Sequence, residues 1–178
     1  MDLLSQTVSR FDVRLLGYCV MPNHWHLILM PGTQTELSRA MHWLTSTHTR
    51  RWALAHTRPG PGHIYQGRFR SVPVQSGMSL SRLLRYVERN ALESELVGRA
   101  EEWPWCSAHQ RRACVEAPAL LPQPFLPEDD WLDHLNAPAR DADLAVAIRR
   151  NLPIGDPAWV KSLRDQAGPV RRPGRPRK

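Results

Sequence analysis

Residues 11–30 read FDVRLLGYCVMPNHWHLILM and decide the fold. The first half, Phe11 to Val20, is rich in aliphatic, aromatic and β-branched residues, a composition that favours a strand. Met21-Pro22-Asn23 is typical of a turn or bulge, and a second apolar strand follows from about His24 to Met30. The stretch therefore predicts two consecutive strands of a sheet.

The elements that follow extend this pattern. Thr35 could cap a helix whose apolar residues recur at the helical period and which ends near Ala55. Residues 64–74 predict another strand, and residues 79–90 predict a second helix. The order strand, strand, helix, strand, helix indicates an α+β fold: a ferredoxin-like, split βαβ antiparallel sheet with helices on one face.

Length and composition set the organisation of the chain. We predict a domain over residues 1–115 and a C-terminal extension over residues 116–178, with a short helix over residues 139–150. Three cysteines at unrelated spacings exclude a disulfide framework. No apolar run approaches the ~18 residues of a membrane span, so we expect a cytoplasmic, nucleoid-associated protein without a membrane partner.

The charge distribution favours a polyanionic partner such as nucleic acid. The formal net charge is +7, and the sequence pI is about 10.1. Residues 39–89 contain nine arginines and one acid, whereas residues 93–143 contain eleven acids and four arginines. The first of these stretches would attract phosphate and the second would repel it.

His24 and His26 are the first candidates for chemistry. Residues two apart in a strand point to the same side, so the two imidazoles lie side by side, as metal ligands require. The alternative is a histidine that is merely hydrogen-bonded near the sheet surface.

Tyr86 and Asn90 form the second candidate pair. They lie four residues apart and stack on one helix face, where Asn90 could offer an oxygen to a metal beside Tyr86. The alternative is a core or rim tyrosine. Together with the histidines, the pair suits phosphoryl transfer with tyrosine as the nucleophile.

Four ordered motifs carry a family resemblance: MPNHWHL (residues 21–27), YQGRFR (65–70), LRYVERN (84–90) and WPWCS (103–107). The chain resembles the REP-associated tyrosine transposases, which are single-tyrosine HUH transposases. The resemblance implies that His24 and His26 bind a divalent cation and that Asn90 completes the site. It also implies that Tyr86 attacks DNA to give a 5′-phosphotyrosine. These ligands suit Mg²⁺ or Mn²⁺. Relatives carry an extra N-terminal strand, and we expect it to be missing here.

Further residues predict contacts with DNA. Arg68 and Arg70 lie two apart on the predicted strand and could hold the backbone. Arg172, Arg175 and Arg177 belong to an AT-hook-like tail suited to a minor groove, or to a basic tail that binds any polyanion. Trp43 and Trp52 could stack on unpaired bases, although a core position is favoured.

The predicted function is therefore a metal-dependent transposase that cleaves and joins single-stranded, hairpin-containing DNA resembling REP elements. One alternative is a catalytically inactive, truncated or domesticated DNA-binding module. Another is a metallohydrolase that uses the histidines to activate water. A missing strand would leave an open sheet edge, which another chain could cover, so a homodimer is possible.

Overall fold

An antiparallel hairpin lies at the centre of the fold. The computed structural model describes residues 1–56, 63–113, 118–122, 128–138 and 141–167. Strand β1 (Val13–Val20) pairs with strand β2 (Trp25–Pro31), and Cys19 stands opposite His26. The Met21 amide donates to the His24 carbonyl at 2.8 Å and closes the turn. The two strands predicted from residues 11–30 are confirmed.

Eight α-helices and one 3₁₀ turn accompany this hairpin in the described residues. They are α1 (Asp2–Arg10), α2 (Gln34–Ala55), α3 (Met78–Glu88), α4 (Asn90–Glu93), the 3₁₀ turn Ala100–Glu102, α5 (Ser107–Ala113), α6 (Glu128–Asn136), α7 (Ala142–Arg150) and α8 (Pro157–Ala167). The α+β class is confirmed. The cap of α2 is Thr33, whose hydroxyl accepts from the Glu36 amide, rather than Thr35.

The helices cover both faces of the hairpin, rather than one. A β-bulge between Leu15 and Gly17 shifts the alternation of β1. As a result Leu15 and Tyr18 pack with Leu4 of α1 on one side, and apolar residues that include Leu16 and Cys19 pack towards α3 on the other. Because both faces of β1 are apolar, both need cover.

Gly17 sets how closely α3 approaches the sheet. A side chain at this position would collide with Leu84 of α3. Glycine therefore lets α3 lie directly on the strand, which fixes the height of the helix above β1 and β2.

The strand predicted over residues 64–74 does not form. Only Val74 makes a β-bridge, and its partner is Ile154 of the C-terminal segment, not the hairpin. A strand persists only where its backbone groups pair with a neighbour, and within the described chain β2 pairs with β1 alone. The local sequence favours an extended conformation, but no adjacent strand in the part of the chain that the structure describes completes the pairing.

The second edge of β1 is covered by two short segments. The Val20 amide donates to the Trp105 carbonyl at 2.9 Å, and the Leu121 amide donates to the Leu15 carbonyl at 2.7 Å. Trp103 Nε1 donates to the Val20 carbonyl at 2.9 Å. The WPWCS motif therefore closes the edge of β1.

The C-terminal segment contributes to the core beneath α3. Four of its side chains belong to the same buried cluster as Leu84 and Val87: Trp131, Leu135, Leu144 and Ile154. None of the helices in the described part of the chain combines the length and the apolar character needed to cross a membrane.

Candidate active site

His24 and His26 lie together at the start of β2. Their ring centroids are 5.0 Å apart, with the planes nearly perpendicular. His24 is exposed and His26 is half-buried. Burial, and then the proximity of His24, lower the pKa of His26 to about 4. The His26 ring is therefore neutral at neutral pH and keeps a lone pair that can bind a cation.

Asn23 orients His24, a role that the sequence patterns did not reveal. Asn23 Oδ1 lies 2.7 Å from His24 Nδ1. In the tautomer in which Nδ1 donates to this oxygen, the Nε2 lone pair is free. A metal-binding histidine commonly donates its other ring N–H to a carbonyl in this way. The position of Asn23 directly before the first histidine is the signal that could have pointed to it.

Tyr86 faces this histidine pair from α3. The centroids of the Tyr86 and His26 rings are 6.0 Å apart, and the phenol is half-buried. Burial raises the pKa of Tyr86, and the neighbouring Asn90 amide opposes that shift. The phenol is therefore protonated at neutral pH and must lose its proton if it is to attack.

Asn90 follows Tyr86 by one helical turn, at the start of α4. Its Nδ2 donates to the Tyr86 carbonyl at 3.3 Å. The structure thus groups His24, His26 and Tyr86 through ring contacts and links Asn90 to Tyr86. Across the described residues, no three His, Cys, Asp or Glu side chains are grouped as a metal site. A cation here would need two imidazoles, an amide oxygen and oxygens of a substrate, a set that suits Mg²⁺ or Mn²⁺.

Comparison with known proteins identifies the family. A family model described as "Transposase IS200 like" matches residues 1–90, which is 90 of the 178 residues. The chain belongs to the IS200-like transposases. Membership indicates a transposase, an enzyme that cuts and joins DNA, and so a DNA partner. No curated protein and no solved structure matches the chain. The matched region of this transposase includes His24, His26, Tyr86 and Asn90.

The opposite face of α3 in this transposase carries a buried carboxylate that sequence reasoning missed. Glu88 is 0% exposed. Its Oε1 accepts from Ser107 Oγ at 2.5 Å and from the Arg111 guanidinium, and its Oε2 accepts from Trp131 Nε1 at 2.7 Å. The signal was weak: Glu88 is the one acid in an arginine-rich stretch, placed four residues after the apolar Leu84.

Two arginines that flank Tyr86 bind the end of α6. Arg85 donates to the carbonyls of His134 and Ala137 at 2.8 and 2.7 Å. Arg89 donates to the carbonyls of Leu135 and Ala137 and pairs with Glu93. Cations at a helix C-terminus satisfy its free carbonyls and its dipole.

These contacts partly explain the uneven charge of the sequence. Arg82 pairs with Asp143 at 2.9 Å and with Asp141 at 3.5 Å, and this contact lowers the pKa of Asp143. The α3 arginines of the basic stretch are therefore engaged within the protein, partly by the acidic stretch that follows.

The predicted DNA contacts of the transposase differ in their surroundings. Arg68 is exposed, whereas Arg70 Nη1 donates to the Arg149 carbonyl at 3.1 Å. The tail residues Arg172, Arg175 and Arg177 lie outside the described residues. Trp43 packs against Phe11 with a centroid distance of 6.0 Å, but Trp52 is 37% exposed, so the favoured core position of Trp52 is wrong.

Proposed function

We propose that this transposase cleaves and rejoins single-stranded DNA through a covalent bond to Tyr86, with Mg²⁺ or Mn²⁺ held by His24, His26 and Asn90. The observation that carries the proposal is the position of the Tyr86 ring, 6.0 Å from the ring of His26 beside His24. A phenol next to a pair of imidazole donors is the arrangement that an attack on a phosphate needs.

The proposed reaction is a balanced transesterification. Tyr86 Oη attacks a phosphorus atom of the strand, and the bond from phosphorus to the 3′ oxygen breaks. Oη loses its proton and the 3′ oxygen gains one, which leaves a 5′-phosphotyrosine and a free 3′-OH. Attack by a 3′-OH on the same phosphorus reverses these steps and joins DNA. The phosphotyrosine conserves the bond, so joining needs no other energy source.

The residues of the chain have distinct parts in this scheme. The turn at Met21 and the contact from Asn23 hold His24, and the low pKa of His26 keeps its ring neutral. The link from Asn90 to the Tyr86 carbonyl holds the amide beside the phenol. A bound divalent cation would supply charge stabilisation at the phosphate oxygens.

The proposed substrate is a hairpin-containing strand resembling REP elements, as for the REP-associated tyrosine transposases. Exposed Arg68 and Arg70 and the tail arginines Arg172, Arg175 and Arg177 are the proposed backbone contacts. Such contacts add salt-sensitive affinity without sequence choice. Attachment to DNA would associate the protein with the nucleoid.

Covalent capture tests the proposal. The protein is incubated with a labelled hairpin oligonucleotide and Mg²⁺ or Mn²⁺, and denaturing gels report DNA-linked protein. The expected result is an adduct that needs the cation and disappears in Tyr86→Phe but persists in the matched control Tyr65→Phe. Cleavage that survives Tyr86→Phe would instead support a metallohydrolase. DNA binding without any cleavage by the wild type would support a non-catalytic binding module.

A further inference from the structure

The last two turns of α2 are exposed to solvent. Every residue from Thr49 to His56 is exposed, including Leu54 at 82% and Trp52 at 37%. Tryptophan is usually buried to a large extent, and a solvent-facing helix end does not need it for packing. By contrast Trp43, which precedes Trp52 by about two and a half turns of the helix, is half-buried against Phe11.

Aromatic rings form a line along this helix. His48, Trp52 and His56 recur every four residues, so they lie on one face and span about 12 Å. The Trp52 and His56 rings are stacked, with centroids 4.1 Å apart and planes 19° from parallel. At the end of this line nearest the sheet, His48 Nδ1 lies 2.8 Å from the Tyr65 hydroxyl. The centroids of the Tyr65 and Trp25 rings are 6.4 Å apart.

The charged residues that adjoin Trp52 along α2 are both arginines. Arg50 and Arg51 are exposed beside Trp52, and the one acid of α2, Glu36, lies in its first turn. Arg51 Nη2 donates to Gln6 Oε1 at 3.2 Å, which ties this end of α2 to α1. Exposed rings at a helix end that also carries exposed guanidinium groups suit a strand with a charged backbone and unpaired, stackable bases.

We propose that His48, Arg50, Arg51, Trp52 and His56, the α2 platform, bind an unpaired stretch of the DNA substrate away from Tyr86. Trp25 alternates with His24 and His26 along β2, so it points to the opposite face of the sheet. The platform therefore begins on the face that does not carry the active site. A DNA strand that reaches both must pass around the edge of β2 that has no partner strand within the described residues. The proposal rests on the proposed single-stranded substrate.

Binding measurements on the full chain test the platform. A Tyr86→Phe background with EDTA prevents cleavage, and fluorescence anisotropy reports binding of labelled oligonucleotides. Trp52→Ala should weaken single-strand binding by about 5- to 150-fold, since stacking on one aromatic side chain is worth about 1–3 kcal/mol. The matched control is Trp105→Ala, which removes a tryptophan that is 49% exposed on the segment covering β1. It should leave the affinity unchanged.

Two further probes separate stacking from charge. The affinity for a fully paired duplex should change less than twofold in Trp52→Ala, because its bases are not available to stack. On a strand of abasic sites, Trp52→Ala and the parent should bind equally. The double variant Arg50→Gln, Arg51→Gln should instead lower the affinity for each of these ligands and reduce the salt dependence of binding.

Three results would overturn the platform. They are an unchanged single-strand affinity in Trp52→Ala, an equal loss on duplex, or a loss of self-association in sedimentation experiments, which would identify a second copy as the occupant. The covalent adduct gives an independent readout, because Trp52→Ala at saturating DNA should still form it through Tyr86. A wild type that forms no adduct would contradict the proposed function and leave the binding measurement intact.

Discussion

The two faces of α3 differ in how their polar groups are satisfied. Glu88 is fully buried and accepts from Ser107, Arg111 and Trp131. Tyr86, two residues earlier, is half-buried beside His26, and Asn90 is its neighbour on that face. The face with Glu88, the saturated face, has its polar groups bonded to internal partners. The face with Tyr86, the open face, keeps groups that a ligand can contact. One helix therefore holds the scaffold together and carries the proposed nucleophile.

The largest loss of stability is expected when Glu88 is removed. Glu88→Ala should lower the free energy of unfolding by about 3–5 kcal/mol, because it removes the buried carboxylate that pairs with the partly buried Arg111 and opens a cavity. Chemical denaturation at neutral pH measures this. Tyr86→Phe keeps the ring and should change stability by less than about 0.5 kcal/mol.

A surface acid provides the control for that variant. Asp165→Ala, on the exposed side of α8, should leave the unfolding free energy within about 0.5 kcal/mol of the parent. A similar small loss in Glu88→Ala would show that the buried contacts do not support α3.

The dependence of stability on pH tests the environment of His26, which lies beside Tyr86. The folded pKa of His26 is about 4, below its ordinary 6.5, so the folded state favours the neutral ring. The unfolded chain binds a proton first as the pH falls, and stability should be lost between about pH 7 and pH 4 by roughly 2–3 kcal/mol. Denaturation in EDTA should show that His26→Gln removes this part of the pH dependence. Identical pH profiles would contradict the burial of a neutral His26.

Sequence patterns predicted the open face better than the saturated one. The spacing of His24 and His26 on a strand, and the helical position of Tyr86, follow from local periodicity. Glu88 escaped because its partners Ser107, Arg111 and Trp131 lie 19, 23 and 43 residues away along the chain. Local pattern does not reveal pairings over such separations.

Two other differences have the same physical origin. The predicted strand over residues 64–74 has a suitable composition but, among the described residues, no neighbouring strand to pair with. Helix α6 lies in an acid- and proline-rich stretch of weak periodicity, yet Trp131 and Leu135 on it are buried against the core. In both places tertiary contacts decide the outcome.

A smaller change tests the buried contacts of Glu88 through Ser107. Ser107 Oγ accepts from the Tyr18 amide at 2.9 Å and donates to Glu88. Ser107→Ala should therefore cost about 1–3 kcal/mol, since it removes partners from buried polar groups. Thermal unfolding measures the loss, and adduct formation at low temperature should persist. A stable Ser107→Ala protein that forms no adduct would place Ser107 in the chemistry instead.

The smallest expected effect lies at the exposed rim of α3. Arg82→Ala removes the pairs with Asp141 and Asp143, in which the Arg82 side chain is 45% exposed. Such pairs contribute about 1 kcal/mol or less and weaken in salt. The stability difference from the parent should shrink when denaturation is repeated at high ionic strength. A salt-independent loss of several kcal/mol would contradict this view of the rim.

The most direct test of the central claim is to locate the DNA link on the protein. Trypsin cuts after Arg85 and Arg89, so Tyr86 lies in the peptide Tyr86-Val87-Glu88-Arg89, while the other two tyrosines, Tyr18 and Tyr65, fall in different peptides. Mass spectrometry of a nuclease- and trypsin-treated adduct should find a 5′-phosphonucleotide on the Tyr86 peptide. A nucleotide on the Tyr65 or Tyr18 peptide would contradict the account.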